Sequence, residues 1–156
     1  MEAGKDRSFY GYLVYMVADF NNMVNLFHKC NMNYFGGELT LPRFELLHSF
    51  CICGRFEYSL GWFRNKIKDP LIKITDYYDF TLEQYVDIMV HEMIHYYLVY
   101  TGLDKKCTHG KQFQMMARKL NRKYKLHVTP TLDITHYSRR KGTPLISYLW
   151  SRIRYT

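Results

Sequence analysis

His91-Glu92-Met93-Ile94-His95 is the segment of this chain whose residue types and spacing can do chemistry. Two histidines four residues apart lie on one face of an α-helix, so both imidazoles can reach a single metal ion. Zinc suits such ligands, and it lowers the pKa of a bound water to about 7, which makes a hydroxide nucleophile available at neutral pH. The glutamate beside the first histidine is placed to take that proton and return it, as a general base does. Zinc is therefore the expected cofactor, one ion per chain, with His91 and His95 as ligands and Glu92 as the catalytic residue. A chance match on an ordinary exposed helix is disfavoured. Ile88, Met89, Met93, Ile94 and Leu98 make the helix largely apolar, and unpaired His and Glu side chains inside it would be costly.

A catalytic zinc keeps three protein ligands and one open position, so a third ligand has to be found. The pattern with Gly three and His six residues after the second histidine fails, because Leu98 and Thr101 stand there. A downstream glutamate is excluded, because no Glu follows Glu92. Asp104, Cys107, His109, His127, Asp133 and His136 remain. His109 is selected, since it opens the next helix after a loop short enough to fold back on the first two ligands. Cys107 fits a hydrolytic site poorly, because a thiolate lowers the Lewis acidity of zinc, and it reads as a small buried hydrophobe. His28, His48, His127 and His136 read as packed or surface histidines. Tyr96, Tyr97, His127, His136 and Tyr137 are the candidate donors to an oxyanion.

The elements that must position these residues follow from periodicity and punctuation. Met16, Phe20, Met23 and Phe27 recur at helical spacing, and the expected first helix runs from about Ser8 to Phe35, stopped by Gly36-Gly37. Arg43–Phe50, Gly54–Leu60 and Leu71–Thr75 read as three short strands, with turn signals at Cys53-Gly54, Gly61 and Asp69-Pro70. Thr81 and Gln84 form a capping box that opens the motif helix, which is expected to stop at Gly102. A third helix begins near Thr108, with Phe113, Met116, Ala117, Leu120 and Tyr124 along one face. Beyond Pro130 the chain is irregular until Ile146–Thr156, which reads as an edge strand.

At 156 residues with 47% hydrophobic and 17% aromatic content, the chain has one domain's worth of core, and disorder or low complexity is excluded for the whole. The net charge of +8 is unevenly spread. Residues 1–104 carry 9 Lys and Arg against 13 Asp and Glu, while residues 105–156 carry 13 against Asp133 alone. A basic segment of this kind reads as a surface for a polyanion such as DNA. None of Cys30, Cys51, Cys53 and Cys107 forms a Cys-x-x-Cys pair, so reduced thiols are expected. No run reaches the length of a membrane span, and the expectation is a soluble, cytoplasmic protein with no membrane partner.

The chain resembles the SprT-like zinc metallopeptidases, the group that includes the Spartan DNA–protein crosslink proteases. The resembling residues are Tyr34-Phe35-Gly36-Gly37-Glu38-Leu39, Pro42-Arg43-Phe44, Gly54-Arg55-Phe56, the motif at 91–95 and His109-Gly110-Lys111-Gln112-Phe113, in order over roughly residues 20–128. The resemblance implies an α+β, zincin-like domain of three helices and a small three-stranded sheet. It also implies His91, His95 and His109 as zinc ligands with Glu92 as general base. Residues 1–128 are then the protease domain and 129–156 a basic C-terminal extension, without the four-cysteine ribbon many SprT-like proteins carry, since no Cys follows Cys107. The expected function is a zinc-dependent endopeptidase acting on proteins bound to DNA, with residues 105–156 as the DNA surface. The rival is a non-proteolytic DNA- or protein-binding module in which zinc is structural and Cys107 or Asp104 closes the site.

Overall fold

A computed structural model of the chain describes residues 15–16, 18–61, 67–131 and 133–142. In chain order the elements are β1 (Tyr15–Met16), α1 (Phe20–Tyr34), β2 (Arg43–Leu47), β3 (Gly54–Leu60), β4 (Ile67–Thr75), β5 (Tyr78–Thr81), α2 (Leu82–Tyr100) and α3 (Lys111–Tyr124). A single 3₁₀ turn (Ile134–His136) and β6 (Ser138–Arg139) follow. The fold is α+β, with three helices and a small mixed sheet as expected, and with a second small sheet that was not. The expected edge strand at Ile146–Thr156 lies outside the described residues.

The mixed sheet has the order β2-β4-β3, with β2 parallel and β3 antiparallel to β4. Asp69-Pro70, read from sequence as a turn, lies inside β4. Glu57 pairs with Leu71 and Ser59 with Lys68, so Asp69 and Pro70 together oppose Tyr58. This is a β-bulge, where a proline costs no ladder hydrogen bond, and Asp69 takes a positive φ of 52° to make it. The strand therefore begins at Ile67 rather than Leu71. One face of the sheet is solvated, with Lys73 between Glu45 (3.3 Å) and Glu57 (3.2 Å). The other buries Phe44, Phe56, Ile72 and Ile74.

The first helix is shorter than its periodicity suggests. Tyr15–Met16 is extended and pairs with Phe80 and Thr81, and Asp19 then caps α1 by accepting from Asn22 N at 2.9 Å. An aspartate that satisfies a free N–H starts a helix more decisively than apolar spacing does. At the other end Asn31 grips the chain after the turn: its Nδ2 donates to Leu39 O (2.8 Å) and its Oδ1 accepts from Leu39 N (3.2 Å).

The core gathers around α2. The capping box is formed, with Gln84 N donating to Thr81 Oγ1 (3.2 Å) and Thr81 N to Gln84 Oε1 (3.0 Å). From Tyr85 to Val99 the helix is buried on nearly every face, against β3, β4, β5, α1 and α3. A helix so enclosed holds its side chains rigidly, which a ligand set requires. Among the described residues no helix is long and apolar enough to cross a membrane.

Candidate metal centre

His91 and His95 project from one face of α2, and both are buried. Gly102 ends the helix in a left-handed turn (φ 76°), and the loop that follows returns the chain toward it. Asp104 organises that loop, its carboxylate accepting from Lys106 N (2.8 Å), Thr108 N (3.3 Å) and Thr108 Oγ1 (2.8 Å). The loop ends at His109, two residues before α3, whose backbone cap is Gly110. His109 Nε2 lies 2.9 Å from His91 Nε2 and 3.1 Å from His95 Nε2. The three imidazoles thus converge, as the ligand search from sequence anticipated.

Phe113, one turn into α3 and fully buried, lies under all three rings, with centroid separations of 4.7 Å to His91, 4.7 Å to His95 and 4.8 Å to His109. Periodicity identified it only as a core position; its role as a common floor has no signal in sequence beyond its four-residue distance from His109.

The protonation chemistry suits a cation. His91 Nδ1 donates to the Thr129 carbonyl at 2.9 Å, and a carbonyl can only accept, so the neutral ring presents a bare Nε2 lone pair to the cluster. Burial, then the neighbouring His95 and His109, lower His91 to about 3. Burial, then His109, lower His95 to about 4. Burial lowers His109 as well. His91 Nε2 and His95 Nε2 both crowd against His109 Nε2, and one positive ion among these buried, neutral rings would satisfy all three nitrogens together, so the residues fit a zinc ion. The three histidines form the only metal-capable group among the described residues.

Glu92 faces β3. It is buried, it accepts from the Phe56 backbone N–H, and Arg55 is near enough to favour its charge. Burial outweighs both and raises its carboxyl to about 8. The chain passes close here because residue 54 is glycine: a Cβ on Gly54 would lie 2.5 Å from Glu92 Oε1.

The other residues weighed from sequence are placed elsewhere. Asp104 is engaged in its loop, and Cys107 is half-buried against Tyr58, which also donates to the Lys105 carbonyl. Burial raises the Cys107 thiol to about 11, so it stays protonated. His127 is exposed, and its backbone N donates to Asp87 Oδ1 at 2.9 Å. Asp133 caps the 3₁₀ turn and lies 3.6 Å from His136. His28 is exposed, and His48 pairs with Asp76 at 2.8 Å. Of the oxyanion candidates, Tyr96 is buried with its hydroxyl on Thr40 (2.7 Å), Tyr97 packs on Phe35, and Tyr137 packs on Tyr78 and Phe80. All four cysteines are free thiols.

No curated protein matches the chain at a significant level. The model of the SprT-like family matches residues 23–138, a span that holds the convergent histidines, Glu92 and the Gly54 strand. With that span covering most of the chain, the protein belongs to the SprT-like family.

Proposed function

We propose that this chain is a zinc-dependent endopeptidase that acts on proteins bound to DNA. The observation that carries the reading is the convergence of His91, His95 and His109 at their Nε2 atoms, with the Nδ1 proton of His91 committed to the Thr129 carbonyl and Glu92 next to His91 on the same buried helix. A zinc ion held by the three histidines supplies Lewis acidity, which acidifies water and polarises a peptide carbonyl. Glu92 takes the proton of the attacking water at its carboxylate and delivers it to the amide nitrogen as the C–N bond breaks. Its burial gives it a high proton affinity, and the Phe56 N–H holds the carboxylate in one orientation while the proton moves. With a cation held by the three histidines the charged carboxylate would be favoured and the raised pKa of Glu92 lowered, which would leave the group able to act as base and then as acid.

The DNA part of the reading is supported by α3, whose exposed Lys111, Arg118, Lys119, Arg122 and Lys123 lie on the side opposite the Phe113, Ala117 and Leu120 core face. The rival reading as a module with a closed structural zinc needs a fourth protein ligand. Asp104 and Cys107 both stand outside the metal-capable group, and no observation favours it.

The test is the zinc content of the purified chain beside His109→Ala and Glu92→Gln, with casein and DNA-bound protein cleaved in the presence and absence of DNA. One zinc per chain, lost in His109→Ala but kept without cleavage in Glu92→Gln, is the expected result. Zinc retained in His109→Ala with no cleavage by the unmodified chain would overturn the reading; equal cleavage with and without DNA would overturn its DNA part.

A further inference from the structure

Three consecutive residues of the segment after α3, His127, Val128 and Thr129, are held one after another, and the last of them holds a ligand. His127 N donates to Asp87 Oδ1 at 2.9 Å, and Asp87 is one helical turn before His91 on α2. Val128 is gripped from α3 by Asn121, whose Nδ2 donates to Val128 O (2.8 Å) while its Oδ1 accepts from Val128 N (3.0 Å). Thr129 then presents its carbonyl to His91 Nδ1 at 2.9 Å. The next residue is Pro130, which confines Thr129 to extended backbone and leaves its carbonyl pointing in a set direction. The Val128 side chain is itself buried.

We infer that Asn121 is a positioning residue for the metal centre, acting through the Val128-Thr129 backbone to fix the tautomer and ring orientation of His91. The inference rests on the metallopeptidase reading above and adds to it a residue that touches no ligand. The physical argument is one of degrees of freedom. Backbone extended between two helices has no ladder of its own, and its register is set only by the groups that satisfy its N–H and C=O. Asn121 satisfies both polar groups of one residue at once, so a shift of this segment along its axis breaks two hydrogen bonds together. Asp87 opposes the same shift from α2. The segment therefore ties the helix bearing His91 and His95 to the helix that follows His109, and the Thr129 carbonyl is the point where that tie meets a ligand. Groups behind a ligating histidine raise its basicity and hold its ring, and their loss typically weakens metal binding by one to two orders of magnitude.

The molecule holds its own control. Asn31 makes the same pair of hydrogen bonds from α1 to Leu39, and neither Asn31 nor Leu39 bonds a ligand imidazole. If Asn121 matters only as a stabiliser of a helix exit, the two asparagines are equivalent toward zinc.

The experiment measures the zinc dissociation constant by competition with a chromophoric chelator for the unmodified chain, Asn121→Ala, Asn121→Asp and Asn31→Ala, each at a temperature where circular dichroism shows the metal-free protein folded. The expected result is a constant about 10- to 100-fold weaker in Asn121→Ala and within about twofold of the unmodified chain in Asn31→Ala. Asn121→Asp keeps the acceptor for Val128 N but loses the donor to Val128 O, so it falls between. Equal zinc affinity of Asn121→Ala and the unmodified chain overturns the inference, as does equal weakening in Asn31→Ala. An unmodified chain that binds no zinc overturns the metallopeptidase reading instead. Should neither Asn121 variant fold, long-range ¹⁵N–¹H correlation on the unmodified metal-free chain decides the link at its ligand end: His91 protonated on Nδ1 supports it, and His91 protonated on Nε2 overturns it.

Discussion

Gly54 and Glu92 are in contact across the junction of β3 and α2, and the contact leaves no room for a side chain on the strand: a Cβ at position 54 would stand 2.5 Å from Glu92 Oε1, 2.9 Å from Cγ and 3.0 Å from Cδ. The carboxylate is the flexible partner, but it is enclosed and bonded to the Phe56 N–H, so moving it costs its orientation. Gly54→Ala is therefore expected to fold, to keep its zinc, and to lose at least about 100-fold in peptide cleavage, the range that general-base assistance supplies. Metal analysis and cleavage rates on the same sample check this; a variant that cleaves normally would place the working proton acceptor elsewhere.

Phe113 gives a second expectation of a different kind. Its ring supports His91, His95 and His109 together and is fully buried. Phe113→Ala removes that floor and leaves a cavity, at a cost of about 3–5 kcal/mol in stability by analogy with other buried aromatic truncations. Phe113→Leu refills most of the volume without the flat surface, so it should recover much of the stability but less of the zinc affinity. Denaturant titration of both variants with and without zinc separates the two effects; parallel recovery of stability and affinity in Phe113→Leu would show that only volume matters.

The metal-free chain should be most stable near pH 6.5. His91 and His95 have native values of about 3 and about 4 against an ordinary 6.5, so the folded form binds fewer protons than the unfolded one, and their contribution is lost as pH falls below 6.5. Glu92 is shifted the other way, to about 8 from 4.5, so the folded form binds more protons and its contribution is lost as pH rises from 4.5 through 8. Between 4.5 and 6.5 two histidines outweigh one glutamate and stability falls with acidification; between 6.5 and 8 the glutamate acts alone and stability falls with alkalinity. Chemical denaturation of the chelator-treated protein across this range checks the dome. In Glu92→Gln the alkaline decline should disappear, and its persistence there would assign it to another group.

The motif helix and its cap were legible in the sequence because each is a local event: a Thr and a Gln three apart, two His four apart, and an apolar run to a glycine stop. His109 was legible because its loop is short and the alternatives fell by elimination. What escaped were interactions of backbone. The Thr129 carbonyl behind His91 has no residue signature, and neither does the pairing of Tyr15–Met16 with β5, which shortened the first helix to start after Asp19. Asp69-Pro70 carried a turn signal that was sound chemically but was answered by a bulge within β4, since either device accommodates a missing N–H and a positive φ. Gly54 read as a turn residue, and only the approach of α2 discloses why the position takes no side chain.

The basic face of α3 carries the last expectation. Arg118 and Lys119 are exposed on one turn and Arg122 on the next, whereas Lys123 lies 4.8 Å over the Tyr124 ring and is in part committed to it. If duplex DNA binds this face, each cation that neutralises a phosphate releases counterion, and the slope of log affinity against log salt falls by about 0.9 for each contact removed. The triple variant Arg118→Ala, Lys119→Ala, Arg122→Ala should thus flatten that slope by about 2 to 3 while leaving zinc content unchanged, because the substituted side chains point away from Phe113 and the ligands. The same variant should cleave a free protein substrate as the unmodified chain does and a DNA-bound one more slowly, with the difference vanishing at high salt as the electrostatic attraction is screened. An unchanged salt slope in the variant would make this helix face a solvated surface with no phosphate to neutralise, and any DNA contact would have to be sought on another part of the chain.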